Sequence, residues 1–199
     1  MIFDFIFGFV FFYILNGWFP GPMPPSATVA QAQPAPPHIT ALAVEELACT
    51  RDPDPTRILR AMMEAGLIRA ADREDFESYS CFAIPGGLWL DGFNANAVCG
   101  GVMSATVNAE NPDLYPPNAR IDDLDRYQML SFGSNDGLDS LEAWSTARYG
   151  PRGPESLGVI DGLYSPSISL NEVYCDDILA DNVALDAIEN LPPALAPSE

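Results

Sequence analysis

The first 37 residues limit most strongly what this chain can fold into. Residues 5–15 form an uninterrupted apolar run, and the apolar character extends over residues 1–19 with only Asp4 and Asn16 as polar interruptions. A helix that spans a bilayer needs about 20 apolar residues, whereas the core of a signal peptide needs about 7–15. The length therefore predicts a membrane-seeking helix over residues 1–19.

This segment fits an uncleaved single-pass anchor better than a removed signal peptide. It has no Lys or Arg at its start, and the small-x-small site at residues 30–32 lies beyond four prolines that follow the apolar run. A signal peptidase acts close to the membrane face, so this distance disfavours cleavage before Gln33. Removal of residues 1–32 as a signal peptide is the alternative interpretation. The aromatic residues expected to contact lipid are Phe5, Phe7, Phe9, Phe11, Phe12 and Trp18.

A strand is the rival interpretation of the same residues. Phenylalanine recurs at every second position from Phe3 to Phe11, which is the period of a strand. Both faces of that strand would be apolar, so it would need cover on both sides to avoid aggregation. A helix in a lipid bilayer meets this demand directly and is therefore favoured.

A proline-rich tether follows over residues 20–37. It holds seven of the 19 prolines of the chain, a composition that favours the extended polyproline II form. At ~3.1 Å per residue the tether could reach up to ~55 Å. We expect it to hold a folded domain, residues 38–191, away from the membrane, with residues 192–199 as a tail and His38 as a solvated residue at the domain boundary.

Four cysteines lie beyond the tether, and none forms a C-x-x-C pair. An even number of cysteines after an export signal predicts two disulfide bonds in an oxidising compartment. We predict Cys81–Cys99, closing a hairpin, and Cys49–Cys175, joining the first helix to the start of the last one. Buried free thiols and a four-cysteine metal site are the alternatives.

The charge of the chain excludes several functions. The formal net charge is −19, all nine basic residues are arginine, and the single histidine is His38. A phosphate backbone needs clustered Lys or Arg, and the arginine-rich stretch over residues 51–73 is matched by carboxylates, so nucleic acid is not an expected partner. Without lysine the chain can form neither its own Schiff base nor a phosphate-binding loop of the Walker type. A Ser-His-Asp or Cys-His arrangement would have to use His38, and we expect no cofactor and no metal.

Beyond the tether, the order of helical and strand-like segments predicts an α+β domain with an antiparallel sheet and flanking helices. Asp54 is a good helix N-cap before Pro55, and Asp91-Gly92 between apolar runs is a strong hairpin signal. Helices are expected at 39–49, 56–65, 139–148 and 177–191, with an acidic turn at 72–77 and a capping box from Asp139 to Glu142. Strands are expected at 79–84, 88–90, 93–107, 126–132, 159–160 and 168–174, with a loop at 108–119.

Catalysis in such a chain would depend on carboxylates. A pair of them could act as acid and base on a glycosidic bond. The candidates are Asp122, Asp123, Asp125, Asp136, Asp139 and Glu142, and a solvated acidic surface is the simpler interpretation. An EF-hand calcium loop aligned on Gly137 would place Phe132 and Ala143 at ligand positions, so that match fails. Trp89 and Trp144 could form a platform for sugar, although core packing is the simpler role for both.

The sequence therefore predicts a non-catalytic accessory protein. It would be tethered to a membrane, with an acidic domain outside the cytoplasm, periplasmic or extracellular, and with membrane protein partners. We expect a small subunit of a larger membrane complex, because a span carrying Asp4, Gly8 and Asn16 is best accommodated against other helices. An exported carboxylate-dependent hydrolase and a secreted soluble binding domain are the alternatives.

Overall fold

The computed structural model describes residues 32–76, 79–102, 104–116, 128–151, 158–165 and 168–189. The predicted anchor, most of the tether, the C-terminal tail and the candidates Asp122, Asp123 and Asp125 lie outside the described residues.

The described part of the chain is a mixed α+β structure. Its helices are α1 (Pro37–Leu47), α2 (Pro55–Glu64), α3 (Ala105–Glu110), α4 (Leu138–Tyr149) and α5 (Asp177–Glu189). Its strands are β1 (Gln33–Pro34), β2 (Arg73–Asp75), β3 (Ser80–Leu90), β4 (Phe93–Val102), β5 (Gln128–Ser134), β6 (Val159–Ser165) and β7 (Ile168–Asp176). The folded region thus takes in the last residues of the proline-rich stretch, and the exposed His38 lies in the first turn of α1.

One sheet joins all the strands in the order β1-β3-β4-β5-β7-β6, with β2 also paired to β3. Every pair is antiparallel except β1–β3. The chain leaves β5 through α4, forms the outer strand β6 and returns as β7 between them. The predicted α+β class with an antiparallel sheet is confirmed.

The β3–β4 hairpin turns at Asp91-Gly92, as predicted. Both residues have positive φ, 43° and 128°, which is the conformation that favours Asp-Gly in tight hairpins. A side chain at Gly92 would also collide with Trp144, so glycine is required here for packing as well as for the turn.

Four local predictions were wrong. The expected break between residues 84 and 88 is a bulge inside the continuous strand β3, and the expected acidic turn at 72–77 contains β2. The strand expected up to Val107 ends at Val102, because the Ser104 hydroxyl accepts a hydrogen bond from the Val107 amide and starts α3. The capping box at Asp139 is not formed, since Gly137 is the N-cap of α4 and no side chain caps that end.

The main core lies between one face of the sheet and helices α1, α2 and α4. Ile39, Leu59 and Met62 from the helices pack with buried strand residues such as Phe82 and Phe132. Helix α2 lies close to the sheet because Gly100 has no side chain, and a Cβ there would lie 2.8 Å from both Leu59 Cδ1 and Pro55 Cβ. The opposite face carries a smaller cluster around Cys81, Ala97, Cys99 and Leu170.

The loop between α1 and α2 is held by a buried carboxylate. Glu46 is almost fully buried, accepts a hydrogen bond from the Asp54 amide at 2.9 Å, and forms ion pairs with Arg51 and Arg57 at 3.3 Å each. The Asp54 side chain in turn accepts from the Arg57 amide at 3.0 Å, which is the predicted N-cap of α2. This network fixes the position of Cys49.

Two disulfide bonds cross-link the fold, one over a long stretch of chain and one within the β3–β4 hairpin. They are Cys49–Cys175, with a sequence separation of 126, and Cys81–Cys99, with a separation of 18. Both are the pairings that the sequence predicted. Disulfide bonds of this kind indicate a domain that folds in an oxidising setting, extracytoplasmic or secreted.

Candidate interaction surfaces

The described carboxylate candidates are Asp136, Asp139 and Glu142, and they differ in environment. Asp136 accepts a hydrogen bond from the Asn94 amide at 2.9 Å, which gives it a structural role at the end of β4. Asp139 and Glu142 lie exposed on α4. Within the described ranges, His, Cys, Asp and Glu side chains nowhere gather in threes at a spacing that could hold a metal ion.

Helix α5 presents an apolar stripe to solvent. Ile178 and Leu185 are 65% and 58% exposed and, being seven residues apart, lie on the same side of the helix. Asp181 lies between them on this side, also exposed. Ile178 and Leu185 thus form an exposed apolar stripe that Asp181 interrupts.

The opposite side of α5 is fixed to the domain. Leu179, Ala180 and Val183 pack around the Cys49–Cys175 disulfide bond. The Asp176 carboxylate caps the helix by accepting from the Leu179 amide at 2.7 Å. Burial raises the pKa of the adjacent Asp177, an effect that Asp176 and Asp52 reinforce through their charges.

The sequence predicts an amphipathic helix over residues 177–191, with Ile178, Leu179, Ala184, Leu185 and Ile188 as its apolar residues, but it does not predict which of them are buried. The side chain of Ile188 lies outside the described residues. The structure buries Leu179 and leaves Ile178, Ala184 and Leu185 exposed. The disulfide bond decides this, because it draws the side of the helix that carries residues 179, 180 and 183 onto Cys49 and Cys175.

Trp89 and Trp144 have different environments. Trp144 packs edge-on against Phe93 and Tyr149, with ring centroids 4.6 and 5.7 Å apart, and its Nε1 donates to the Asp91 carbonyl at 2.9 Å. Trp144 is therefore a structural residue, as the simpler interpretation predicted. Trp89 is 48% exposed, so the core role expected for it was wrong.

A groove of about 440 Å³ opens beside Trp89. Its described lining consists of Ala32, Pro34, Trp89 and Asn94. Pro34 lies opposite Trp89 in the β1–β3 pair, and the Ala35 amide donates to the Trp89 carbonyl at 3.0 Å. Strand pairing thus fixes one wall of the groove against the indole.

A carboxylate lies on the sheet face away from the main core. Glu172 lies opposite Gly133 in the β5–β7 pair, and burial raises the pKa of its carboxyl. The fully buried Ser131 hydroxyl lowers the pKa of Glu172 and so opposes part of this rise. Its contact with Glu172 does not reach the geometry of a normal hydrogen bond. The raised pKa means that folding favours the protonated form of Glu172.

Glu172→Gln is expected to stabilise the domain at neutral pH. The folded state has the higher pKa, so ionised Glu172 lowers the stability of the parent above that pKa. Each unit of pKa difference corresponds to about 1.4 kcal/mol. Chemical denaturation of both proteins between pH 4 and pH 7 should show the advantage of the variant shrinking as the pH falls toward the pKa of an unfolded glutamate. A variant less stable than the parent at neutral pH would contradict this assignment.

None of the helices in the described part of the chain combines the length and the apolar character that a bilayer crossing requires. Comparison with known proteins gives no match to a family model, to a curated protein or to a solved structure.

Proposed function

We propose that this chain is a non-catalytic interaction protein. Residues 1–19 hold it at a membrane, its acidic domain lies outside the cytoplasm, and the exposed side of α5 docks a membrane protein partner as a small subunit of a larger complex. One observation carries the docking proposal, namely the exposed stripe of Ile178 and Leu185 on α5. The opposite side of this helix packs against the Cys49–Cys175 disulfide bond, which holds the helix in place.

Burial of this stripe can supply useful binding energy. Covering a large aliphatic side chain contributes about 1.5–3 kcal/mol relative to leaving it in water. The backbone of α5 is already held by its cap and by the packing around Cys49–Cys175, so little ordering is needed on binding. A preformed helix face is also a common way for one protein to recognise another.

The charge around the stripe specifies the chemistry of the partner. Asp181 lies within it, Asp177 is the first residue of the same helix, and residues 176–199 contain six acidic and no basic residues. The complementary surface is an apolar groove rimmed by Arg or Lys. Such a rim would steer association and select against acidic surfaces.

The double variant Ile178→Ser/Leu185→Ser should abolish partner binding while leaving the fold intact. Removal of two buried aliphatic contacts is expected to weaken binding by more than about tenfold. The chain would be extracted from its native membranes in mild detergent, and its co-migration with partners measured on native gels. Intact mass would report whether residues 1–32 are retained.

Ala184→Ser on the same helix is the matched control, because Ala184 is exposed but lies away from the stripe. It should co-migrate with partners as the parent does. Both variants should unfold within about 0.5 kcal/mol of the parent, since they change exposed positions. Full co-migration of the double variant, or a parent that migrates alone, would contradict the proposal.

A further inference from the structure

Trp89 and Asn94 form a second candidate site, separate from α5. They lie directly opposite each other in the β3–β4 hairpin and both line the groove. The indole is half exposed on a strand that is paired on both sides near this point, with β1 and with β4. It therefore offers a flat aromatic surface on a rigid base.

Hydrogen bonds fix the backbone of Asn94, whereas its side-chain oxygen accepts none from the described residues. Its amide donates to Asp136 Oδ2 at 2.9 Å, and its carbonyl accepts from the Ser134 hydroxyl at 2.7 Å. The side-chain oxygen is buried and has no hydrogen-bond partner among the described residues. A side-chain carbon at Gly87 would collide with that oxygen, so the bare glycine is what makes room for the Asn94 amide.

A buried polar atom without a partner lowers stability, so a hydroxyl group that enters the groove and donates to Asn94 Oδ1 would remove this cost. A carboxamide can both donate and accept hydrogen bonds, which suits a ligand rich in hydroxyl groups. The remaining lining by Pro34 and Ala32 is apolar. The groove thus combines an aromatic plane, an apolar wall and one amide at its edge.

We propose that this groove binds a neutral oligosaccharide built from equatorially linked pyranose rings. Such rings present a flat face of C–H groups that packs on an indole, while a hydroxyl that enters the groove would donate to the buried Asn94 Oδ1. The volume of about 440 Å³ lies within the range of small-ligand sites. Asp91 and Asp136 lie in the turns that flank this end of the hairpin, and the net charge of −19 disfavours anionic sugars.

Cellotetraose and chitotetraose are suitable probes, and the full chain should be kept in a detergent without a sugar headgroup. Titration calorimetry or the chemical shift of the Trp89 indole would measure binding. We expect saturable binding of at least one probe with a Kd near 0.1–1 mM. Trp89→Ala should weaken it more than about tenfold, and Trp89→Phe only a few-fold because a ring remains.

Asn94→Ala tests the amide and should weaken binding several-fold without changing the Trp89 ring. Thermal unfolding of each variant separates loss of the site from loss of the fold. Absence of saturable binding of both probes up to about 10 mM, or equal binding by Trp89→Ala, would overturn the proposal. So would saturable binding of a proline-rich peptide with neither sugar bound, since aromatic grooves also accept polyproline II segments. Trp89→Ala should leave partner co-migration through α5 unchanged, so the two proposals can fail independently.

Discussion

Replacing both Cys49 and Cys175 by serine is expected to lower the free energy of unfolding by about 5 kcal/mol. The bond closes a loop across 126 residues, and the chain-entropy account assigns the largest stabilisation to such long loops. Both sulfurs are also buried beneath α5, in contact with Leu179 and Ala180. Denaturant unfolding of the variant and the parent, both under non-reducing conditions, measures the loss.

The second disulfide bond provides the matched control. Cys81 and Cys99 are separated by 18 residues, and the same account gives about 3 kcal/mol for replacing them by serine. Limited proteolysis should also distinguish the two variants. Cleavage near α5 should be faster in the Cys49/Cys175 variant, because only that variant loses the disulfide bond against which α5 packs. A larger loss from the Cys81/Cys99 variant would contradict the loop-length argument.

The sequence predicted the Cys81–Cys99 pair, but we interpreted residues 84–87, which align the two cysteines, as a break between strands. Near the turn, Leu88 pairs with Ala95, whereas farther along Ala83 pairs with Ala97. Residues 84–87 of β3 therefore stand opposite a single residue of β4. Without this bulge, the simple hairpin register would carry Cys81 past Cys99, so the Pro-Gly-Gly stretch that we interpreted as a break is what aligns the two cysteines.

Other errors have a common physical origin. Local pattern predicted the class of the fold, the Asp54 cap and the Asp91-Gly92 turn, since each depends on neighbouring residues. It could not predict β2, because a strand of three residues exists only through its pairing with β3. It also could not predict the exposure of Trp89, Ile178 and Leu185, since burial depends on which side of each element the rest of the fold covers.

Phe132→Ala is expected to lower the free energy of unfolding by about 3–5 kcal/mol. Phe132 lies on the central strand β5, fully buried, between Val98 and Val173 in the sheet register. Its ring also meets Phe93 edge-on, with centroids 6.4 Å apart. Removing the ring loses its burial and opens a cavity between the sheet and the helices, which the paired strands cannot easily close. Denaturant unfolding at neutral pH measures the change.

Two further variants determine whether this loss reflects core packing. Phe132→Leu keeps most of the volume and should lose clearly less stability than Phe132→Ala. Leu185→Ala removes a side chain that is 58% exposed and should change stability by no more than about 0.5 kcal/mol. If Phe132→Ala and Leu185→Ala had similar effects, the main core would not lie on the helix side of β5. The expected order would show that Phe132 stabilises the fold through its contacts in the core, whereas Leu185 contributes little to the stability of the domain.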